Sequence, residues 1–426
     1  MLEQVSDEEM EVKDVLIGES SASGRTVPLD KGDVVYIIFF LLGAGILFPW
    51  NVFITAVDYF DVLYPSRDMD RLFGALYMAP NLITLCLLVL YGQNFSNKVK
   101  VIGGFVGYLV AIISVPIMDL LLGPTPGEPS SFMFYLTLVL VAETGIADAI
   151  AQGSLYGMAG LFPPRYTQAL MAGTSGSGFL VSLLRVVTKA SLPSTFTGLR
   201  ISATIYFLVS FLFVLLCLAS FMYLPRTEFV QFYTRNTDKS MELTPLRTTE
   251  KGTEHQRYQK LSRAGAMSIL RQIWPYATMV AYTYLVTLAL FPGFVTENLH
   301  WDSFGSWYPV LMITMFNFGD LIGKIHPSYQ KIDSLQTLCI FVTSRTLFLP
   351  LFWICGKTWG NFNSPWMVFT LVFFLGWTNG YLGCLLMMIA PGQCVSEDSE
   401  LAGTTMVFFL IFGLTLGAFL GWIWVL

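Results

Sequence analysis

The sequence predicts an all-α polytopic membrane protein of about eleven transmembrane helices. Hydrophobic residues make up 54% of its 426 residues and charged residues only 12%, whereas soluble chains carry about 25% charged residues. The charged residues lie in short clusters between apolar runs of about 20 residues, which is the length that crosses a bilayer. A soluble core is therefore excluded, and the lipid bilayer is the expected surrounding.

The apolar runs place the predicted spans in order along the chain. They lie near residues 34–56, 73–92, 101–122, 132–160, 167–190, 200–224, 271–296, 305–327, 338–355, 366–391 and 401–425. The longest polar break separates six spans from five. We therefore expect four regions: a cytosolic disordered tail at 1–33, an N-terminal six-helix bundle at 34–224, a cytosolic central loop at 225–270 and a C-terminal five-helix bundle at 271–426.

The basic residues predict the orientation of the chain. If the N-terminus is cytosolic, 16 of the 24 Lys and Arg residues lie in the cytosolic segments and five in the opposite ones. This asymmetry follows the positive-inside rule, so we expect a cytosolic N-terminus. We expect the plasma membrane, with the vacuolar or another endomembrane as the alternative.

Several function classes find no support in the sequence. The six cysteines are scattered without a CxxC pair, and His255, His300 and His326 lie far apart, so no metal site or disulfide framework is indicated. No Walker-type phosphate loop and no strongly basic patch occur. We therefore expect neither a cofactor nor a nucleic-acid partner. An intramembrane enzyme would need clustered catalytic groups, and none is visible.

Ionisable residues inside the predicted spans are the main candidates for function. Each costs about 2.5–3.5 kcal/mol at the bilayer centre, so such residues pair with one another or line a water-filled path. Asp320 and Lys324 are four residues apart and share a helix face, which indicates either a structural ion pair or a substrate or gating site. Arg345 either holds neighbouring helices together or takes part in gating. The ionisable residues within spans are Asp119, Glu143, Asp148, Arg185, Asp320, Lys324 and Arg345.

The fourth span carries a polar stripe. Asp148, Gln152 and Tyr156 follow at a spacing of four residues and lie on one helix face. The Gln152 amide offers both a donor and an acceptor, which suits reading an edge of a nucleobase or a sugar; the alternative is an interhelical hydrogen bond. Asp148 has no Lys or Arg within one turn. With Glu143, it is a candidate for proton exchange or for binding a cation.

Aromatic and amide groups recur at the middles and ends of the other spans, and their order and spacing are specific. Such groups suit the wall of a cavity. For Trp50 the alternative role is that of an ordinary interfacial anchor. These motifs are Phe48-Pro49-Trp50-Asn51, Asn81-Leu82-Ile83-Thr84, Gln152-Gly153-Ser154-Leu155-Tyr156-Gly157, Leu290-Phe291-Pro292-Gly293, Phe316-Asn317-Phe318-Gly319-Asp320, Ser344-Arg345 and Thr378-Asn379-Gly380-Tyr381.

Through these motifs the chain resembles the equilibrative nucleoside transporters from the first span to the C-terminus. The resemblance implies a major-facilitator-like arrangement of six plus five helices and nucleoside transport by alternating access. It implies that Trp50 and Gln152 contact the nucleobase and that Asp320 contacts the ribose. It places Lys324 beside that aspartate, and Phe291 and Asn317 in the same cavity. Arg345 and Asn379 are expected to be structural or gating residues. Free nucleobases or organic cations are the alternative substrates.

Three departures separate the chain from the animal members of that family. Lys324 replaces the usual arginine and lacks its planar, bidentate fork. Asp148 stands where animal facilitators usually have a small neutral residue, and the first outer loop, 57–72, is short. The chain therefore looks most like plant or protist members, some of which are proton-coupled, and a proton is an expected second partner.

Overall fold

The computed structural model describes residues 28–65, 67–92, 95–123, 130–193, 195–234, 254–299, 301, 303–332, 334–356, 364–395 and 398–421. For residues 254–264, 297 and 298 it describes the backbone alone. These residues form helices and short connections, and this part of the chain contains no β-strand.

Thirteen α-helices are used to describe the fold, and short 3-10 turns connect some of them. Their bounds are α1 Val34–Thr55, α2 Val57–Leu63, α3 Met69–Tyr91, α4 Asn97–Leu122, α5 Ser131–Gly160, α6 Pro164–Ser191, α7 Phe196–Tyr223, α8 Glu254–Leu290, α9 Tyr308–Ile325, α10 Leu335–Ser344, α11 Phe348–Gly356, α12 Pro365–Ile389 and α13 Ser399–Gly421.

Ten helical segments in the described residues are long and apolar enough to cross a membrane. The helix α9 corresponds to the predicted span 305–327 and would be the eleventh. It is 18 residues long, but Asn317, Asp320 and Lys324 make it more polar than the other ten. This polar helix packs between α12 and α6. The predicted all-α, multi-pass architecture is confirmed, and the charged side chains of its least apolar span, Asp320 and Lys324, are buried.

Successive long helices run in opposite directions, so their ends meet at two faces of the bundle. At the face where α1 begins, here called the N-terminal face, the Arg165 guanidinium lies 2.8 Å from the Asp33 carboxylate. At the opposite face, Arg200 Nε donates to Asp119 Oδ2 at 2.6 Å. The first pair joins the starts of α1 and α6, and the second joins the start of α7 to the end of α4.

The N-terminal helices α1–α7 and the C-terminal helices α8–α13 meet along α6, α9, α12, α5, α3 and α13. Close approach between α5 and α13 depends on glycine: a Cβ at Gly157 would meet the Glu400 carbonyl oxygen at 3.0 Å and the Thr404 hydroxyl at 2.6 Å. Backbones that come this close pack with small residues at the contact. At the N-terminal face the two sets of helices are therefore tightly joined.

Three details differ from the sequence prediction. Helix α8 begins at Glu254, so residues 254–270 are helical rather than part of a loop; their predicted loop character rested on the missing apolar pattern. Residues 57–63 of the first outer loop are also helical. The ninth predicted span is not one continuous α-helix, because a 3-10 turn at Arg345–Leu347 separates α10 from α11. Residues 1–27 and 235–253 lie outside the described residues.

Candidate substrate site

A cavity of about 250 Å³ lies between the N-terminal and C-terminal helices. This is close to the lower end of the range of about 300–1,000 Å³ that is usual for small-molecule sites. Its walls are mostly apolar and aromatic, with amide and hydroxyl groups between them. Its aromatic and polar lining residues include Trp50, Asn51, Tyr77, Asn81, Gln152, Tyr156, Thr174, Ser175, Thr287, Phe291, Phe316, Asn317, Asp320, Lys324 and Asn379.

Two stacked aromatic pairs form flat parts of the cavity wall. The rings of Trp50 and Tyr77 are stacked with centroids 3.9 Å apart. The rings of Phe291 and Phe316 are stacked with centroids 4.4 Å apart. One pair belongs to the N-terminal helices, and Phe291 follows the end of α8. Trp50 therefore lines the cavity with one face of its indole covered by Tyr77.

The Asp320 carboxylate is the centre of the polar part of the cavity. Lys324 Nζ lies 3.2 Å from Asp320 Oδ2, and Asn379 Nδ2 donates to Asp320 Oδ1 at 2.7 Å. The Ser175 hydroxyl donates to the same carboxylate from α6. Lys324 Nζ also donates to the Thr174 hydroxyl at 3.1 Å. The spacing of four residues thus predicted a real ion pair, and its partners come from both sets of helices.

Arg345 supports this centre from behind without lining the cavity. Its side chain is 1% exposed, and it donates to the Thr287 hydroxyl at 2.6 Å and to the Thr378 hydroxyl. The Thr287 hydroxyl in turn lies 2.8 Å from the Asn379 amide oxygen. Arg345 therefore reaches Asp320 through Thr287 and Asn379. The other predicted internal cation, Arg185, pairs with Asp58 of α2 instead.

The polar stripe of the fourth span is divided by the fold. Gln152 and Tyr156 line the cavity, and the Gln152 side chain is 4% exposed. Its amide oxygen is buried and has no hydrogen-bond partner among the described residues. Asp148 does not reach the cavity and lies behind the wall.

Asp148 is a fully buried carboxylate held by three hydrogen-bond donors. Tyr77 Oη and Asn81 Nδ2 each donate to Oδ2 at 2.7 Å, and Tyr108 Oη lies 2.6 Å from Oδ1. The same Tyr108 hydroxyl lies 2.8 Å from the Ile46 carbonyl oxygen of α1. The interpretation of Asp148 as an unpaired acid is thus corrected: no basic partner joins it in the described residues, but neutral donors from α3 and α4 satisfy it.

Glu143 is separate from this arrangement. It is half-buried on α5 and is absent from the cavity wall. Of the two candidates for proton exchange, Asp148 alone is joined to cavity-lining side chains, namely Tyr77 and Asn81.

Amide side chains also connect the two sets of helices around the cavity. Asn317 Nδ2 donates to the Gly178 carbonyl oxygen at 3.1 Å and to Ser182 Oγ at 2.8 Å. Towards the N-terminal face, Gln168 Nε2 donates to the Lys324 carbonyl oxygen at 2.9 Å. Gln168 Oε1 accepts from Tyr36 Oη at 2.9 Å. Three helices, α1, α6 and α9, are joined by this one glutamine.

All six predicted substrate residues and Asn379 line one cavity. Sequence reasoning missed Ser175, Thr287 and Tyr77, because serine, threonine and tyrosine are common in membrane helices and give no signal of their own. The described residues hold no group of three or more His, Cys, Asp or Glu side chains that would suit a metal ion.

Sequence comparison matches the chain to a family of nucleoside and nucleotide transporters. The family model described as "Nucleoside transporter" matches residues 137–426. Equilibrative nucleotide transporter 8 of Arabidopsis thaliana is 39% identical over 93% of this chain and 96% of its own length. Equilibrative nucleotide transporter 1 of the same plant is 36% identical over 97% of this chain and 90% of its own length. Both names describe transporters rather than enzymes. Both relatives come from a plant, which confirms the predicted likeness to plant members of the family.

Solved structures confirm the major-facilitator-like fold. The proton:xylose symporter XylE gives a TM-score of 0.60 at 11% identity, covering 93% of this chain and 89% of that one. The transporter FucP in its outward conformation gives a TM-score of 0.55 at 13% identity, covering 91% and 92% of the two chains. At such identities the likeness concerns the fold alone.

Proposed function

Since the chain belongs to the nucleoside transporter family, we propose that it carries purine and pyrimidine nucleosides across the membrane by alternating access. The nucleoside occupies the cavity between the N-terminal and C-terminal helices. Trp50 and Gln152 contact the base, and Asp320 contacts the ribose with Lys324 beside it. Phe291 and Asn317 complete the wall, and Arg345 and Asn379 hold Asp320 in position.

The observation that supports this proposal most is the division of the cavity into an aromatic and a polar part. A nucleoside has the same division, with a flat base that stacks on aromatic rings and a sugar whose hydroxyl groups donate to a carboxylate. The Trp50–Tyr77 pair and the Asp320 centre line the same cavity. A free nucleobase would leave the Asp320 centre without a sugar to bind.

The charge of the cavity distinguishes nucleosides from nucleotides and organic cations. Asp320 and Lys324 are the charged residues in its wall, and they neutralise each other in a pair 3.2 Å long. In the wall formed by the described residues, a phosphate group would find no unpaired cation, and a cation would find no unpaired carboxylate. Burying an unpaired charge costs several kcal/mol. The cavity therefore favours neutral substrates.

Uptake in cells that lack nucleoside transport tests the proposal. We expect saturable uptake of radiolabelled adenosine and uridine, and at least about tenfold lower uptake of their 5′-monophosphates under phosphatase inhibition, because the phosphate charge is unpaired in the cavity. The control is an empty vector, with surface protein measured by biotinylation. Monophosphate uptake equal to nucleoside uptake would contradict the charge argument, and no uptake of either would contradict the function.

The same cells report location and orientation. Following the distribution of basic residues, we place the N-terminus in the cytosol, and we propose the plasma membrane as the location. An N-terminal epitope should then be detected at the cell surface only after permeabilisation.

The proposal extends to proton coupling through Asp148. Its carboxylate is 0% exposed and faces the hydroxyls of Tyr77 and Tyr108, the amide of Asn81 and the Ile46 carbonyl oxygen, none of which carries a positive charge. A buried carboxylate whose partners are all neutral can take up a proton without breaking an ion pair. Since Tyr77 and Asn81 line the cavity, a change at Asp148 reaches the substrate through them.

We expect Asp148→Asn to remove the response of uptake to a proton gradient. In the natural protein, collapsing an inward gradient with an uncoupler should lower accumulation, whereas the variant, which cannot exchange a proton at this position, should accumulate equally with and without it. Glu143→Gln is the matched control and should keep the response, because Glu143 does not contact the cavity. A variant at position 148 that still responds like the natural protein would place coupling elsewhere.

A further inference from the structure

Resting on the proposed nucleoside transport, we propose that Asn81 is a further specificity-determining residue and that Asp148 positions it. Together with Gln152, Asn81 selects nucleosides whose base carries an exocyclic amino group, such as adenosine and cytidine. Nucleosides with an oxo group at that position, such as inosine and uridine, are disfavoured.

The orientation of the Asn81 amide is determined by its neighbour. An ionised carboxylate only accepts hydrogen bonds. Asn81 must therefore turn its amide nitrogen towards Asp148, and Nδ2 lies 2.7 Å from Asp148 Oδ2. The amide oxygen is thereby directed away from the carboxylate. Because Tyr77 and Tyr108 hold Asp148 on its other sides, the amide has a fixed anchor.

Two amide oxygens in this part of the wall lack a donor. Asn81 Oδ1 and Gln152 Oε1 are both buried, and neither has a hydrogen-bond partner among the described residues. Both side chains line the cavity, one on α3 and one on α5, two helices that pack against each other. Buried polar groups in folded proteins nearly always have partners. Two buried acceptors without partners, on side chains of one cavity wall, therefore point to a ligand that supplies donors.

The chemistry of the bases decides which ligand satisfies these acceptors. An exocyclic amino group carries two N–H donors, one for each amide oxygen. An oxo group presents lone pairs instead, and the single ring N–H beside it can satisfy at most one of the two oxygens. A site built for a hydrogen bond discriminates strongly against an analogue that lacks the donor. The stacked pair of Trp50 and Tyr77 lies beside Asn81, because Tyr77 and Asn81 are one turn apart on α3.

This arrangement also accounts for an acid at position 148 independently of proton exchange. An asparagine there would present both a donor and an acceptor, so the Asn81 amide would lose its fixed direction. The ionised carboxylate allows a single direction.

The test compares substrate pairs in the natural protein and in variants. Initial uptake rates at low concentration are measured for adenosine, inosine and purine riboside, which lacks any group at the 6-position, and for cytidine and uridine. We expect adenosine and cytidine to be preferred over inosine and uridine by about tenfold or more. The initial uptake rate of purine riboside should be lower than that of adenosine. In Asn81→Leu the uptake-rate ratios of adenosine to inosine and of cytidine to uridine should both approach one. In Asp148→Asn both ratios should fall at least severalfold.

Thr144→Val is the matched control. Thr144 is a fully buried polar residue on α5, one turn from Asp148, whose hydroxyl bonds the Leu140 carbonyl oxygen at 2.8 Å, and this change should leave the preferences unaltered. Equal uptake of amino and oxo nucleosides by the natural protein would overturn the inference without any variant. An unchanged preference in Asn81→Leu would also overturn it. Absence of uptake of every nucleoside would instead contradict the proposed function itself.

Discussion

Replacing Asp320 by asparagine is expected to lower the initial rate of nucleoside uptake by about 100-fold or more. The carboxylate accepts from Ser175, Asn379 and Lys324, and its removal leaves the Lys324 ammonium, a residue 5% exposed, without a counter-charge. Breaking a buried pair from one side costs about 3–5 kcal/mol. The variant also lacks the carboxylate that we propose accepts from the ribose hydroxyls. Uptake per molecule at the surface measures the effect.

Asp68→Asn is the matched control for this change. The Asp68 side chain is 81% exposed beside Arg71, and exposed ion pairs contribute about 0–1 kcal/mol. Its uptake should stay within about twofold of the natural protein. If Asp320→Asn retained comparable uptake with normal surface amounts, the ribose would have to bind elsewhere.

Replacing Trp50 by alanine is expected to raise the substrate concentration for half-maximal uptake by about 10- to 100-fold. Stacking of a base on an aromatic ring contributes about 1–3 kcal/mol, and truncation also removes the ring on which Tyr77 packs. Trp50→Phe keeps an aromatic face and should raise the substrate concentration for half-maximal uptake by no more than about fivefold. Concentration dependence of adenosine uptake is the measurement.

A tryptophan outside the cavity separates this effect from a general loss of tryptophan. Trp274 of α8 is 58% exposed and is not part of the wall, so Trp274→Ala should leave half-saturation unchanged. Equal effects at the two positions would mean that Trp50 anchors the helix rather than the base.

The sequence predicted the helices well because membrane spans are encoded locally. A run of about 20 apolar residues is sufficient to identify a span. In α9 the polar residues Asp320 and Lys324 interrupt the run, and this span was predicted from the apolar residues around them. The start of α8 at Glu254 was not predictable in this way, because residues 254–264 are polar and carry no apolar stripe.

The site was predictable where its partners share a helix and unpredictable where they do not. Asp320 and Lys324 are four residues apart, so spacing alone paired them. Asp148 is 71 residues from Tyr77 and 40 from Tyr108, and no local pattern connects such positions. From the sequence alone, Asp148 is therefore an acid without a visible partner. The same distance effect concealed Thr287, which lies 58 residues from Arg345.

Gln168, the glutamine that joins α1, α6 and α9, lies on the same helix as a residue that contacts the Asp320 carboxylate. Gln168 bonds the backbone of Lys324, and Ser175, two turns further along α6, bonds the carboxylate of Asp320. If α6 swings away from α9 at the N-terminal face, both bonds break in one movement. In the transport cycle that we propose, opening at that face would therefore also remove one hydrogen-bond partner of the carboxylate proposed to bind the sugar, and the nucleoside would leave a site of lower affinity.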